Sequence, residues 1–128
     1  MVAAGLVLTA VGALIHVLIF VMESLTWTSA KTRRVFGIGE AEAAATREMA
    51  FNQGFYNLFL AIGVAVGTVL LAVGQTAAGA ALVLMGAGSM VAASLVLLLS
   101  SPDKRSAALK QGVIPAAGII VLALGLTL

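Results

Sequence analysis

The sequence predicts an all-α integral membrane protein folded as a four-helix bundle. The chain of 128 residues is 62% hydrophobic and only 9% charged, and its mean hydropathy is +1.16. Its apolar segments are long enough to cross a bilayer, and its charged residues gather between them. Because soluble domains carry roughly 25% charged residues, a soluble domain of this composition would lack a polar surface. The lipid bilayer is the solvent that fits this composition.

Four apolar runs give the predicted membrane spans of a single domain that covers residues 1–128. These spans are about 2–26, 50–73, 78–99 and 112–128, with Pro115 near the start of the last one, where its missing N–H costs least. A signal peptide needs a basic segment before its apolar core. No Lys or Arg precedes Lys31, so we expect the first span to be retained.

Three connections join the predicted spans. The segment 27–45 is the longest, and Glu40 and Glu42 in it are predicted to open a helix that runs unbroken into the second span. Residues 74–77 form a short uncharged turn, and residues 100–111 form the second charged connection.

The basic residues predict the orientation of the chain. With four spans, all seven Lys and Arg residues lie on one side of the membrane, and the opposite side has none. The positive-inside rule makes that side cytoplasmic and places both termini outside. We therefore expect a multi-pass protein of the bacterial inner membrane. The basic residues are interpreted as topology determinants, and no nucleic-acid partner is expected, because no aromatic residues alternate with them.

Polar residues of the four spans are predicted to converge in the cytoplasmic half of the bundle. In the first span, small and polar residues recur every three or four positions and should face inward: Gly5, Thr9, Gly12, His16, Ile19 and Glu23. Counting depth along alternating helices brings together a larger set, namely His16, Glu23, Asn52, Gln53, Tyr56, Asn57, Ser94 and Gln111. We expect them to line a cytoplasm-facing pocket for a small molecule.

Each of these residues has a structural alternative. Glu23 could be an acid of the pocket, or a carboxylate that reaches water or pairs with Arg47. His16 could relay protons, or hydrogen-bond across helices as a neutral imidazole. The amides could bind a ligand or hold helices together. Gly63 and Gly67 form a small face that could support a homo-oligomer.

Metal and cofactor sites are not predicted. The chain has no cysteine, which excludes disulfides and thiolate ligands. His16 and Glu23 lie two turns apart on one helix and cannot share one ion. No cofactor motif occurs in the sequence.

These residues resemble the family of small bacterial membrane proteins known as domain of unknown function 1304. The motifs that carry the resemblance are His16, Glu23 and Trp27, then Val35-Phe36-Gly37, Asn52-Gln53-Gly54-Phe55-Tyr56-Asn57, Gln111-Gly112 and Pro115-Ala116. The resemblance covers nearly the whole chain. It implies a four-helix inner-membrane protein and supplies no activity.

Three functions remain open from the sequence. The first is a small transporter, in which Glu23 binds a proton or cation and the amides bind the solute. The second is an enzyme that acts on a lipid-phase or amphipathic substrate, with His16, Glu23 and Tyr56 as candidate catalytic residues. The third is a structural polar seam without a ligand.

Overall fold

The computed structural model describes all residues 1–128 and is helical almost throughout. The helices are α1 (Val2–Phe20), which continues as a π-helical turn (Val21–Leu25), α2 (Ala30–Phe36), α3 (Glu40–Ala72), α4 (Thr76–Ser100), a 3₁₀ turn (Pro102–Lys104) and α5 (Arg105–Thr127). Four of them, α1 with its π turn, α3, α4 and α5 with the preceding 3₁₀ turn, are long and apolar enough to cross a membrane. The prediction of an all-α protein with four candidate membrane helices is confirmed.

The four long helices form a ring. Going round it, α1 packs against α3, α3 against α4, α4 against α5, and α5 against α1. The backbone of Val2 lies beside Gly125, so both termini meet at one end of the bundle. The basic residues lie in the connections at the opposite end, which we call the basic end.

The longest helix begins where its acidic residues predicted. α3 starts at Glu40, with Glu42 in its first turn, and continues for 33 residues to Ala72. At 1.5 Å per residue it is about 50 Å long. Because the hydrocarbon core of a bilayer is about 30 Å thick, α3 is longer than a membrane span requires.

Two helical segments at the basic end were not predicted. α2 occupies the middle of the connection 27–45, and the side chain of Ser29 caps its N-terminus by accepting a hydrogen bond from the backbone of Thr32. α5 begins at Arg105, so most of the predicted connection 100–111 is helical. The sequence predicted that Pro115 lies near the start of a helix. In the structure it lies well inside α5, because this helix begins ten residues earlier, at Arg105.

Glycine lets α1 and α5 approach at backbone distance. A Cβ atom added at Gly5 would lie 2.5 Å from the backbone nitrogen of Leu122. One added at Gly12 would lie 2.7 Å from Cγ of Pro115. The part of the predicted inward face of α1 from Gly5 to Gly12 therefore packs against α5. Close contact of this kind is the main source of helix association in lipid, where apolar burial adds little.

The α3–α4 pair uses the same device. Added Cβ atoms at Gly67 and at Gly79 would each lie 2.8 Å from a backbone oxygen of the other helix. Gly63, one turn from Gly67, has open space around its Cβ position. Of the two glycines expected to form an oligomer face, Gly67 is thus occupied within the chain, and only Gly63 is free. The predicted oligomer stays a prediction.

Gly63 and Gly67 of α3 give a matched pair of variants. Gly67→Ala should lower the free energy of unfolding by about 1–3 kcal/mol, because its methyl group overpacks the contact with α4. Gly63→Ala should leave stability unchanged or slightly raised, since alanine favours the helix and meets no neighbour. Thermal unfolding in detergent measures both. Equal effects of the two variants would contradict the assigned packing.

Candidate functional site

Glu23 lies in the π-helical turn that ends the first membrane helix. The turn spans Val21–Leu25 and ends with a hydrogen bond of 3.1 Å from the backbone of Thr26 to the carbonyl of Val21. A π turn contains one residue more than an α turn and rotates the side chains that follow it. Such turns are rare and frequently occur at functional sites.

The carboxylate of Glu23 is bound by a neutral amide from the neighbouring helix. Nδ2 of Asn57 donates a hydrogen bond of 2.8 Å to Oε2 of Glu23, and it also lies 3.2 Å from the carbonyl of Gln53. No Lys, Arg or His nitrogen lies within the 4.0 Å salt-bridge distance of this carboxylate, so the expected alternative of a Glu23–Arg47 pair is not formed. Glu23 is half-buried between the helices.

Gly54 allows α3 to approach the π turn. A Cβ atom at this position would collide with Oγ of Ser24 and would lie 3.1 Å from Cβ of Glu23. At the same contact, Oγ of Ser24 donates a hydrogen bond of 2.8 Å to the carbonyl of Phe51. The Asn-Gln-Gly-Phe-Tyr-Asn run of α3 therefore supplies both the close approach, through Gly54, and the donor for Glu23, through Asn57.

A polar cap at the basic end supports the same junction. Nε1 of Trp27 donates a hydrogen bond of 3.1 Å to Oγ1 of Thr46, and its ring stands edge-on to Phe36 of α2 at 4.8 Å. The hydroxyl groups of Thr26 and the buried Thr32 are 2.8 Å apart. These contacts fix the connection between α1 and α3 just beyond Glu23.

His16 is buried at only 2% exposure on the face of α1 that packs against α5. Its Nδ1 lies 2.9 Å from the carbonyl oxygen of Gly12. Since a carbonyl only accepts hydrogen bonds, Nδ1 carries a proton, and Nε2 of the neutral ring is then an acceptor. His16 and Glu23 lie seven residues apart, about 10 Å along the helix.

The other predicted site residues do not join Glu23. Asn52, Gln53 and Tyr56 are exposed on the outer surface of α3, with Tyr56 65% exposed. Nδ2 of Asn52 donates to the carbonyl of Glu48 on its own helix at 3.3 Å. Gln111 is half-buried on α5. Within the predicted set, only Glu23 and Asn57 are hydrogen-bonded to each other through their side chains.

Two grooves on the bundle surface are apolar. The larger, about 420 Å³, lies between α1 and α3 and is lined mainly by alanine, valine, leucine and isoleucine, from Ala10 to Val17 on α1 and from Ala61 to Thr68 on α3. The smaller is lined by Ala65, Val66, Val69 and Leu70. Neither contains a predicted site residue.

The comparisons identify a family. The family model described as protein of unknown function (DUF1304) matches residues 10–123, which include the π turn, the Asn-Gln-Gly run and Pro115. The chain belongs to this family. No match was found among curated proteins or among solved structures.

Two features of the site could hardly be predicted from the sequence. The π turn leaves no mark on the hydropathy pattern, since Val21–Leu25 continue an apolar run. The contact between Ser24 and Gly54 had one signal, which was a glycine among bulky residues inside a helix. Such a glycine often marks a close approach by a neighbouring element.

Two asparagines on α3 separate the interhelical bond from the general effect of removing an amide. Asn57→Leu should lower the free energy of unfolding by about 1–3 kcal/mol, because it leaves a partly buried carboxylate without its donor. Asn52→Leu removes only a bond within one helix and should have little effect. Thermal unfolding of both variants in the same detergent makes the comparison.

If the two asparagine variants lose equal stability, the Glu23–Asn57 bond contributes nothing specific. A Glu23→Leu/Asn57→Leu double variant refines the result. It should be more stable than the sum of the single changes predicts, because neither polar group is left unpaired.

A second prediction concerns the close approach at Gly54. Gly54→Ala should destabilise the junction, because its methyl group collides with Oγ of Ser24. Ser24→Gly, added to Gly54→Ala, removes the atom in collision and should restore part of the lost stability. Absence of any rescue in thermal unfolding would show that another contact is responsible.

Proposed function

We propose that this protein is a small transporter of the bacterial inner membrane that binds a proton or a small cationic solute at Glu23 and Asn57. The observation that carries the proposal is the hydrogen-bonded carboxylate of Glu23, which lies in a membrane helix without a cationic partner. Ionisable groups in membrane helices are rare and usually serve ion or proton pathways.

The chemistry of the pair favours a positively charged occupant. Burying an unpaired carboxylate is costly, and one amide donor offsets only part of that cost. A bound cation would neutralise the charge, and binding of a proton would remove it. The amide oxygen of Asn57 is a second acceptor beside the carboxylate, since its nitrogen already faces Glu23.

The position of the pair is compatible with entry from one side. Glu23 lies in the last turn of its helix at the basic end, which the positive-inside rule makes cytoplasmic with both termini outside. Glycine contacts hold α1 to α5 and α3 to α4, and an apolar groove lies between α1 and α3 away from the site. Relative movement of the pairs along the α1–α3 seam would provide the second opening that transport requires.

A structural role is the second candidate, and several hydrogen bonds between neighbouring helices favour it. Ser24, Asn57 and the buried Ser94 each bond to a neighbouring helix, Ser94 through its hydroxyl to the carbonyl of Ala108 at 2.7 Å. Polar groups that only join helices behave in this way. The enzyme alternative has less support, because Tyr56 faces outward while His16 faces inward.

Binding of simple cations tests the proposal. Liposomes that contain the purified protein should take up methylammonium or tetraphenylphosphonium, or should show proton movement across the membrane. A trapped pH-sensitive dye measures the proton movement. Glu23→Gln should abolish this activity, because it removes the charge and keeps the shape. Asn57→Ala should weaken it.

Glu48→Gln provides the matched control, since Glu48 is an exposed acid at the same end of the bundle. It should retain the activity of the unaltered chain. A Glu23→Gln protein that binds and moves the probes as well as the unaltered chain would refute the transport site. Loss of stability in that variant, with no binding by either protein, would favour the structural role.

A further inference from the structure

The contact between α1 and α5 has a regular register. Close contacts pair Gly5 with Leu122, Thr9 with Gly118, and Gly12 with Pro115. Each step of three or four residues along α1 is matched by an equal step backwards along α5. Continued for one more step, this register would bring His16 opposite Gln111.

His16 has an unused acceptor at this point. Nδ1 is bonded to Gly12, and Nε2 makes no hydrogen bond within the chain. No side-chain nitrogen or oxygen in the protein is both fully buried and without a partner. Nε2 therefore keeps a small surface that a water-sized group can reach, although the residue as a whole is 2% exposed.

Gln111 has unused groups on the facing helix. Its side-chain amide makes no hydrogen bond within the chain, and it is half-buried. Its backbone carbonyl also lacks its usual donor, because that donor would be the N–H of residue 115 and proline has none. Backbone groups left without a partner inside a membrane are normally satisfied by side chains or ordered water.

We propose that His16 and Gln111 form an inner binding site, between α1 and α5, for a neutral hydroxyl group. The hydroxyl donates a hydrogen bond to Nε2 of His16 and is held on its other side by the amide of Gln111. Water and the hydroxyl group of a bound solute have the same chemistry here. A bound water needs two or more polar partners, and Nε2 of His16 and the amide of Gln111 supply them.

The inner site extends the transport proposal. Its role in transport rests on that proposal, but its existence does not. It lies about two helical turns beyond Glu23, towards the middle of the bundle. A solute whose cationic group is held by Glu23 could place a hydroxyl group there, or a water could extend the polar path. Occupancy of the inner site itself does not depend on binding at Glu23.

The single histidine of the chain makes the test direct. Protein labelled with ¹⁵N-histidine in deuterated lipid bilayers is studied by proton-detected solid-state NMR, with and without 1-propanol as a hydroxyl probe. Nδ1 should carry a proton, and Nε2 should be unprotonated. A contact from Nε2 to water protons indicates a resident water, and a contact to propanol protons indicates a solute hydroxyl; either result supports the site.

Variants separate the site from general effects on the fold. Gln111→Leu should abolish the contact at Nε2 while the signal of the proton on Nδ1 persists and reports an intact α1. Gln75→Leu, at an exposed position of the α3–α4 turn, should retain it. Glu23→Gln should also retain it, so failure of the transport proposal and failure of the inner site are distinguishable.

Three results would overturn the proposal. The first is an Nε2 that carries a proton. The second is an Nε2 with no contact to water or propanol. The third is a contact between Nε2 and the side-chain amide protons of Gln111, because the two residues would then bond directly and leave no room for a ligand.

Discussion

Close approach of helix backbones is the constraint on which this bundle depends. In water, large apolar side chains drive helices together, but in lipid the surrounding chains are as apolar as the side chains they would replace. Contact must then come from surfaces that fit at short range. Glycines at the α1–α5 and α3–α4 contacts provide that fit, and the core they enclose is correspondingly made of small residues, with Met90 its largest side chain.

Polar groups supplement this packing in two different ways. Hydroxyl groups away from the basic end, such as those of Thr9 and Thr68, bond to carbonyls of their own helix and add nothing between helices. Ser24, Asn57 and Ser94 bond across helices instead. The bundle is thus joined by glycine contacts along its length and, towards the basic end, also by hydrogen bonds between helices. The carboxylate of Glu23 belongs to the hydrogen-bonded part.

Much of the fold could be predicted because long apolar helices produce a clear hydropathy pattern in the sequence. The start of α3 followed from the acids Glu40 and Glu42, and counting residues along antiparallel helices predicted only that Glu23 and Asn57 lie in the same half of the bundle. Counting residues predicted the approximate depth of each side chain in the bundle, but it could not predict the rotation of α3 about its axis. That rotation depends on which glycines face a neighbour, and it turns Asn52 and Tyr56 outward.

The segments that escaped prediction are those set by short-range geometry. The π turn at Glu23 arises from a change in backbone hydrogen bonding that no residue type in this segment predicts. α2 is too short for periodicity to detect, and its capping by Ser29 becomes evident only when the helix is seen. Pro115 marked a helix start in the sequence, yet its ring fills the space beside Gly12 inside α5.

The setting of Trp27 gives the protein a built-in optical reporter. It is the only tryptophan of the chain, and its indole is held between Thr46 and Phe36 at the junction of α1 and α3. Because indole emission responds to polarity and hydrogen bonding, the fluorescence of the unlabelled protein reports on this one place. The absence of cysteine adds a second advantage, since a dye attached to one introduced thiol would have a single location. Energy transfer from Trp27 to such a dye could follow movement of the helices in an intact bilayer.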